Sequence, residues 1–216
     1  GDIAVPFKKQ DYLLRVKEQL AVCETLDALM LQLRLCRCRE MIRIAWRAIT
    51  RMATPEETLQ ETSWLADACI NSALAILYQW QTVVDGTTQD EQGKALQLYV
   101  IAVGKLGGNE LNFSSDVDLI FAFPQHGETV GGKRQCEHQT FFVRLAQTLI
   151  KVLDSATVDG FVFRVDMRLR PFGNSGALAI SFSALETYYQ AHGRDWERYA
   201  MIKARILCLP SDRYGK

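Results

Sequence analysis

Asp116 and Asp118 stand two residues apart at the opening of an apolar run, Val117, Leu119, Ile120, Phe121 and Phe123. In a strand, residues two apart share a face, so the run presents both carboxylates together. Two unpaired carboxylates so close repel, and a divalent cation relieves the repulsion; hard oxygen ligands of this kind suit Mg²⁺ shared with substrate phosphates. Just upstream lies the turn Val103-Gly104-Lys105-Leu106-Gly107-Gly108. Its glycines let backbone approach a phosphate, and free N–H groups at a helix start bind one. Gly104, Lys105, Gly107 and Gly108 are therefore candidate phosphate contacts. Ser114 and Ser115 either meet phosphate too or cap the turn into the strand.

A third carboxylate comes from the segment 161–170, where Phe161, Phe163, Val165, Met167 and Leu169 alternate with Val162, Arg164, Asp166, Arg168 and Arg170. Strict alternation predicts a strand with one apolar and one charged face. Asp166 among three arginines reads, taken alone, as an ion-pair network. Three carboxylates on neighbouring strands instead make a two-metal site for in-line displacement at phosphorus, with ions about 3.5–4 Å apart and arginines on the phosphate oxygens.

Patterning supplies the framework around these groups. The first 84 residues hold almost no glycine and many helix formers. A helix is expected from about 27 to 52, with a buried stripe of Leu31, Leu35, Cys38, Ile42, Ala45 and Ile49. Arg39, Arg43, Arg47 and Arg51 recur every four residues on it and read as a solvated basic edge. Thr54, Pro55 and Glu57 predict a capping box for a second helix reaching about Val84. The polar segment 85–93 marks a boundary between a helical extension, 1–93, and a core, 94–216. Strands are expected at 97–103 and 117–123, then a helix from Glu137 to about Leu153, the charged strand, and a short strand at 177–181. Ser183 with Glu186 predicts a cap for a last helix to about Leu207, with Trp196, Tyr199 and Ile202 in the core. Glu110 is expected at a surface, paired with Lys105 or Asn109, and the histidines at surfaces or loops.

Twenty-five basic residues balance 25 acidic ones, so no electrostatic footprint for nucleic acid or an anionic membrane exists. The longest uncharged run, 68–84, contains Asn71, Ser72, Gln79 and Gln81 and reads as a packed helix rather than a membrane span. Six cysteines (23, 36, 38, 69, 136 and 208) without a C-x-x-C pair, and three scattered histidines, lack the spacing of a zinc site and suggest reduced thiols in a cytoplasmic protein.

A glycine turn followed by D-x-D at a strand start resembles the nucleotidyltransferase superfamily typified by DNA polymerase beta. Three blocks sharpen the likeness: G-K-L-G-G-N-E-L-N-F-S-S-D-V-D-L-I-F from Gly104, R-V-D-M-R-L-R-P-F-G from Arg164, and G-R-D-W-E-R-Y-A-M-I-K-A-R from Gly193. In that order they resemble the glutamine synthetase adenylyltransferase family, as does the run from Arg34 to Trp46. The resemblance implies an α+β fold, a polymerase-beta-like core with a helical N-terminal extension, and Asp116, Asp118 and Asp166 as catalytic Mg²⁺ ligands. It implies phosphate or nucleotide contacts at Gly104, Lys105, Gly107, Gly108, Ser114, Ser115, Arg164, Arg168 and Arg170.

Members of that family carry two nucleotidyltransferase domains. Asn112-Phe113-Ser114-Ser115, Phe172 after Arg170-Pro171, and Asp195-Trp196-Glu197-Arg198-Tyr199 resemble the N-terminal, adenylyl-removing half, in which inorganic phosphate releases AMP from a glutamine synthetase tyrosine as ADP. Phosphate is then the nucleophile, so no Ser-His-Asp or Cys-His arrangement is required. Implied partners are glutamine synthetase, ATP or ADP, inorganic phosphate and a PII signalling protein. Forward adenylylation from ATP and a non-catalytic docking module are the alternatives. The ends, Gly1-Asp2 and Tyr214-Gly215-Lys216, suggest a piece of a longer enzyme.

Overall fold

The computed structural model describes residues 3–207, so Cys208 and both chain ends lie outside the described residues. Three helices open the chain: α1 (Lys9–Leu20), α2 (Leu26–Ile49) and α3 (Pro55–Asp85). The start of α3 follows from its first four residues. Thr54 Oγ1 accepts from the Glu57 N–H at 3.2 Å, and Glu57 Oε2 accepts from the Thr54 N–H at 2.8 Å. Two otherwise orphaned donors are satisfied, with Pro55 at the position that needs none. Thr54→Ala is expected to cost about 1 kcal/mol in a urea melt; an unchanged midpoint would show the cap to be idle.

The faces of α2 are the reverse of those expected. Leu35, Ile42 and Ile49 of the predicted buried stripe are 47%, 64% and 79% exposed, and Leu31 and Cys38 also face water. The opposite row, Leu29, Leu33, Cys36, Met41 and Ile44, is buried instead, together with Arg34, Glu40, Arg43 and Arg47. Both rows have the three-four spacing of a helix face, so periodicity alone does not choose between them. Ion pairing does. Arg43 bonds Glu40 at 3.2 Å and also reaches Glu61 of α3 and the Tyr12 hydroxyl of α1, while Arg47 lies 3.3 Å from Glu61. Tyr12 in turn donates to Glu61 at 2.5 Å, and burial followed by that carboxylate pushes its phenol far above the usual range. The expected basic edge therefore splits: Arg39 and Arg51 stay exposed, whereas Arg43 and Arg47 hold the three helices together.

Downstream, β1 (Thr87–Thr88), β2 (Tyr99–Val103), α4 (Gly104–Gly107), β3 (Val117–Phe123), β4 (Thr129–Val130), α5 (His138–Asp154), β5 (Val165–Asp166), β6 (Ala179–Ser181), α6 (Phe182–Ala191), α7 (Asp195–Ala200) and β7 (Arg205–Ile206) complete the chain. Strand β3 is central. It pairs antiparallel with β2, whose other edge takes β7, and parallel with β5 near its start and β6 near its end. Alternation then sorts its side chains. Leu119, Phe121 and Phe123 join Val100 and Ala102 in a core shared with α3 and α5, while Ile120 and Ala122 join Ile101 and Val103 under Leu185 and Met201. The larger core runs unbroken from Tyr12 through Leu74 to Phe142. In the polar segment 85–93, Asp85 is buried and held by Arg134 at 2.9 Å and Arg144 at 3.4 Å, beside a short β1–β4 ribbon.

Arg34 of α2, almost fully buried, ties the opening helices to this second half. Its guanidinium donates to the carbonyls of Gly160 at 2.8 Å, Val152 at 3.4 Å and Ser155. It thereby meets carbonyls left over at the end of α5, where a cation is favoured by the helix dipole.

The charged strand is the main departure. Of 161–170 only Val165–Asp166 is strand. At its near end the Val162 and Phe163 N–H groups both donate to the Leu153 carbonyl, at 2.9 and 3.0 Å, which takes consecutive residues out of extended alternation. At its far end Asp166 Oδ1 accepts from the Arg168 N–H at 2.8 Å. This side-chain turn competes with the ladder and stops it. The expected last helix is also broken, into α6, α7 and the short turn Met201–Lys203, and the cap of α6 is Ser181 rather than Ser183. Trp196, Tyr199 and Ile202 are 52%, 76% and 73% exposed rather than core. His138 is buried, its ring nitrogens on the Gln125 and Glu128 carbonyls, contrary to the surface role expected for the histidines. No helix among the described residues is long and apolar enough to cross a membrane.

Candidate active site

The register of the sheet assembles the acidic residues. Asp118 and Asp166 are direct partners on the parallel strands β3 and β5, and Asp118 also faces Val103, the last residue before the glycine turn. Asp116 sits two residues earlier on the same chain. A cavity of about 420 Å³ opens at this end of β3, lined by Gly104, Lys105, Ser114, Ser115, Asp116, Asp118, Arg164, Asp166 and Arg168. Every one of these residues is a site candidate from the sequence.

Gly104 is needed there for two reasons. Its φ is +59°, and an added Cβ would lie 2.5 Å from Asp118 Oδ2. Only glycine combines the left-handed backbone with room for the carboxylate. Asn112, read from the sequence only as part of a family-like motif, organises the loop before β3. Its Oδ1 accepts from the Ser114 N–H at 3.2 Å and the Ser115 hydroxyl at 2.7 Å, and Ser115 Oγ accepts from Lys105 Nζ at 3.0 Å. An Asn two residues before a Ser is a turn signal that could have been read.

Each outer carboxylate faces an arginine. Asp116 Oδ1 accepts from Arg164 Nε at 2.5 Å, and Asp166 Oδ2 accepts from Arg168 Nε at 2.8 Å. The Arg168 contacts hold the Asp166 carboxyl below its usual range, whereas Asp118 is pushed up by burial and then by the charges of Asp166 and Asp116. Three carboxylates thus share one cavity at electrostatic cost to the middle one. Because ionising Asp118 opposes folding, that cost is absent below its unfolded pKa and complete once pH exceeds the raised folded value. Asp118→Asn is therefore expected to raise the melting temperature at pH 8 in chelator and to leave it unchanged near pH 3. Equal melting at both would show that the repulsion does not reach the fold.

Three expected contacts lie elsewhere. Gly107 packs against backbone, where an added Cβ would meet the Lys203 carbonyl at 2.2 Å, and Gly108 does not line the cavity. Arg170 donates to the Met167 carbonyl at 2.8 Å and stabilises its own turn. Glu110 pairs with Lys203 at 2.7 Å, not with Lys105 or Asn109. Arg205 supports the glycine turn: it bonds the Leu106 carbonyl at 2.9 Å and buried Asp67 of α3 at 2.7 Å.

The donor set is one a hard divalent cation accepts, three carboxylates whose mutual repulsion it would relieve. Among the described residues no three such groups converge closely enough to ligate one ion, since Asp116 and Asp166 are turned onto arginines. A cation would bind by displacing Arg164 and Arg168 from these carboxylates.

These features define an α+β protein with an arginine-rimmed acidic site at the start of its central strand. The chain belongs to the glutamate-ammonia ligase adenylyltransferase family, whose model matches residues 2–215. It is 54% identical over 193 residues to the bifunctional glutamine synthetase adenylyltransferase/adenylyl-removing enzyme of Shewanella oneidensis, covering 89% of this chain and 20% of that one. Proteins of the same name from Hahella chejuensis and Nitrosococcus oceani are 54% identical over 197 residues and 50% identical over 208, covering 91% and 96% of this chain and 20% and 22% of theirs. The chain spans about a fifth of the length of these relatives.

Proposed function

We propose that this chain carries a polymerase-beta-like nucleotidyltransferase site that removes AMP from an adenylylated tyrosine of glutamine synthetase by phosphorolysis, in the cytoplasm and in the control of nitrogen assimilation. The observation that carries the reading is the in-register pair Asp118 and Asp166, with Asp116 in the same cavity under Lys105, Arg164 and Arg168. The names of the relatives cover both adenylylation and its removal. The choice of removal rests on the likeness of Asn112-Phe113-Ser114-Ser115, Phe172 and the block from Asp195 to the family's N-terminal half.

In this reaction an oxygen of inorganic phosphate bonds to the adenylyl phosphorus, the bond from phosphorus to the tyrosyl oxygen breaks, and the proton carried by phosphate ends on the tyrosine. Asp116, Asp118 and Asp166 would hold Mg²⁺, which when bound neutralises charge developing on the phosphoryl oxygens. Lys105, steadied by Ser115, and Arg164 and Arg168, once released from their carboxylates, orient the two phosphates and offset their repulsion. Gly104 keeps the backbone clear of Asp118. PII control would act on this site within the longer enzyme.

The test is incubation with adenylylated glutamine synthetase, Mg²⁺ and labelled inorganic phosphate. Labelled ADP is expected, and it should vanish in Asp116→Asn with Asp118→Asn. AMP transfer from ATP without ADP formation would reverse the direction, and partner binding with neither reaction would leave a docking module.

A further inference from the structure

A second cavity, of about 500 Å³, shares Arg168 with the acidic one, and its mostly polar wall, with Ser175, Arg194 and Glu197, also carries four rings: Phe172, Tyr188, His192 and Trp196. We infer that this cavity receives the purine nucleoside of the adenylyl group whose phosphate the acidic cavity holds, an inference that rests on the function proposed above.

The rings are placed at a cost that the core does not explain. Phe172 has φ +61° and ψ 14°, a strained left-handed conformation that a bulky residue rarely adopts. Yet Phe172 is 54% exposed, and Trp196 is 52% exposed. Strain therefore presents an apolar ring to an opening rather than burying it. The surroundings brace that ring. Phe172 meets the edge of Tyr188 at 4.6 Å, and Tyr188 donates to buried Glu197 at 2.7 Å, which also accepts from the Arg194 N–H at 2.8 Å. Braced, half-exposed rings form the platform on which bases stack.

The position beside Arg168 sets the class of ligand. A molecule spanning both cavities has an anionic phosphate at the carboxylate end and a flat ring at the other, with a short polar link past a guanidinium. A nucleoside monophosphate unit has that form. The rival occupant is inorganic phosphate clamped between Arg168 and Arg194.

Calorimetry with Mg·ADP and Mg·pyrophosphate, which lacks the ring, separates the two. Phe172→Ala and Trp196→Ala are each expected to weaken ADP by about 10-fold, in line with the usual worth of one stacked base, and to leave pyrophosphate unchanged, which also shows that the variants fold. ADP but not pyrophosphate should quench fluorescence from Trp196, and the quench should disappear in Trp196→Phe. Equal losses for both ligands would favour the phosphate clamp and overturn the inference, as would no loss for either. If the wild type binds both ligands and the ring variants are neutral, the base pocket alone falls. If it binds neither, the proposed function falls with it.

Discussion

Asp118→Asn should cut labelled ADP formation from adenylylated glutamine synthetase by about 10²–10³, the usual loss when a charge-stabilising group is removed from a phosphoryl or acyl transfer site. The expectation rests on its place between two other carboxylates. Asp116 and Asp166 each have an arginine partner, whereas Asp118 is pressed against Gly104. Its charge is therefore the one most in need of a cation. Asn keeps the shape and removes that charge. A single-turnover assay reads the effect directly, and activity within tenfold of wild type would remove Asp118 from the machinery.

The largest effect on folding is expected at Glu61. Its carboxylate meets Arg43, Arg47 and the Tyr12 hydroxyl, all three buried, and so joins α1, α2 and α3. Glu61→Ala leaves the buried Arg47 guanidinium with no acid beside it among the described residues and Arg43 with Glu40 alone. The expected cost is about 3–5 kcal/mol, a large part of the roughly 5–15 kcal/mol that holds a typical domain folded. Glu61→Gln should fall between wild type and Glu61→Ala, since it retains hydrogen bonds but not charge. Thermal unfolding measures both, and a loss under about 1 kcal/mol for Glu61→Ala would show the network to be replaceable by solvent.

The site is more legible in the sequence than the scaffold. Asp116, Asp118 and the glycine turn are neighbours in sequence, and alternation on one strand suffices to bring the two aspartates together. Asp166 is distant in sequence, but its arginine-rich surroundings mark it, and its partnership with Asp118 survives although the strand carrying it is two residues long. Arg170 departs from expectation because alternation does not continue through a turn that Asp166 itself creates. The faces of α2 invert because buried arginines are rare enough that a run of them reads as surface. What reverses that reading is Glu61, Tyr12 and α5, none near α2 in sequence. The breaks near the end of the described chain are hidden by the helical spacing of Trp196, Tyr199 and Ile202, which are exposed, Trp196 on the wall of an opening.

The bifurcated acceptance at the Leu153 carbonyl sets the phase of the strand that carries Asp166. Whether that carboxylate faces Asp118 or the opposite side is a question of parity, even or odd, counted from the last fixed point of the chain. Residues 162 and 163, both tied to one oxygen at the end of α5, reset the chain, and the last fixed point is the Arg164 carbonyl, which accepts from the Val117 N–H at 2.8 Å. The exposed loop before them, where Val158 lies wholly in water, is upstream of the reset. Residues added there leave the count untouched, whereas a single residue added between Arg164 and Asp166 turns the third carboxylate away from the other two.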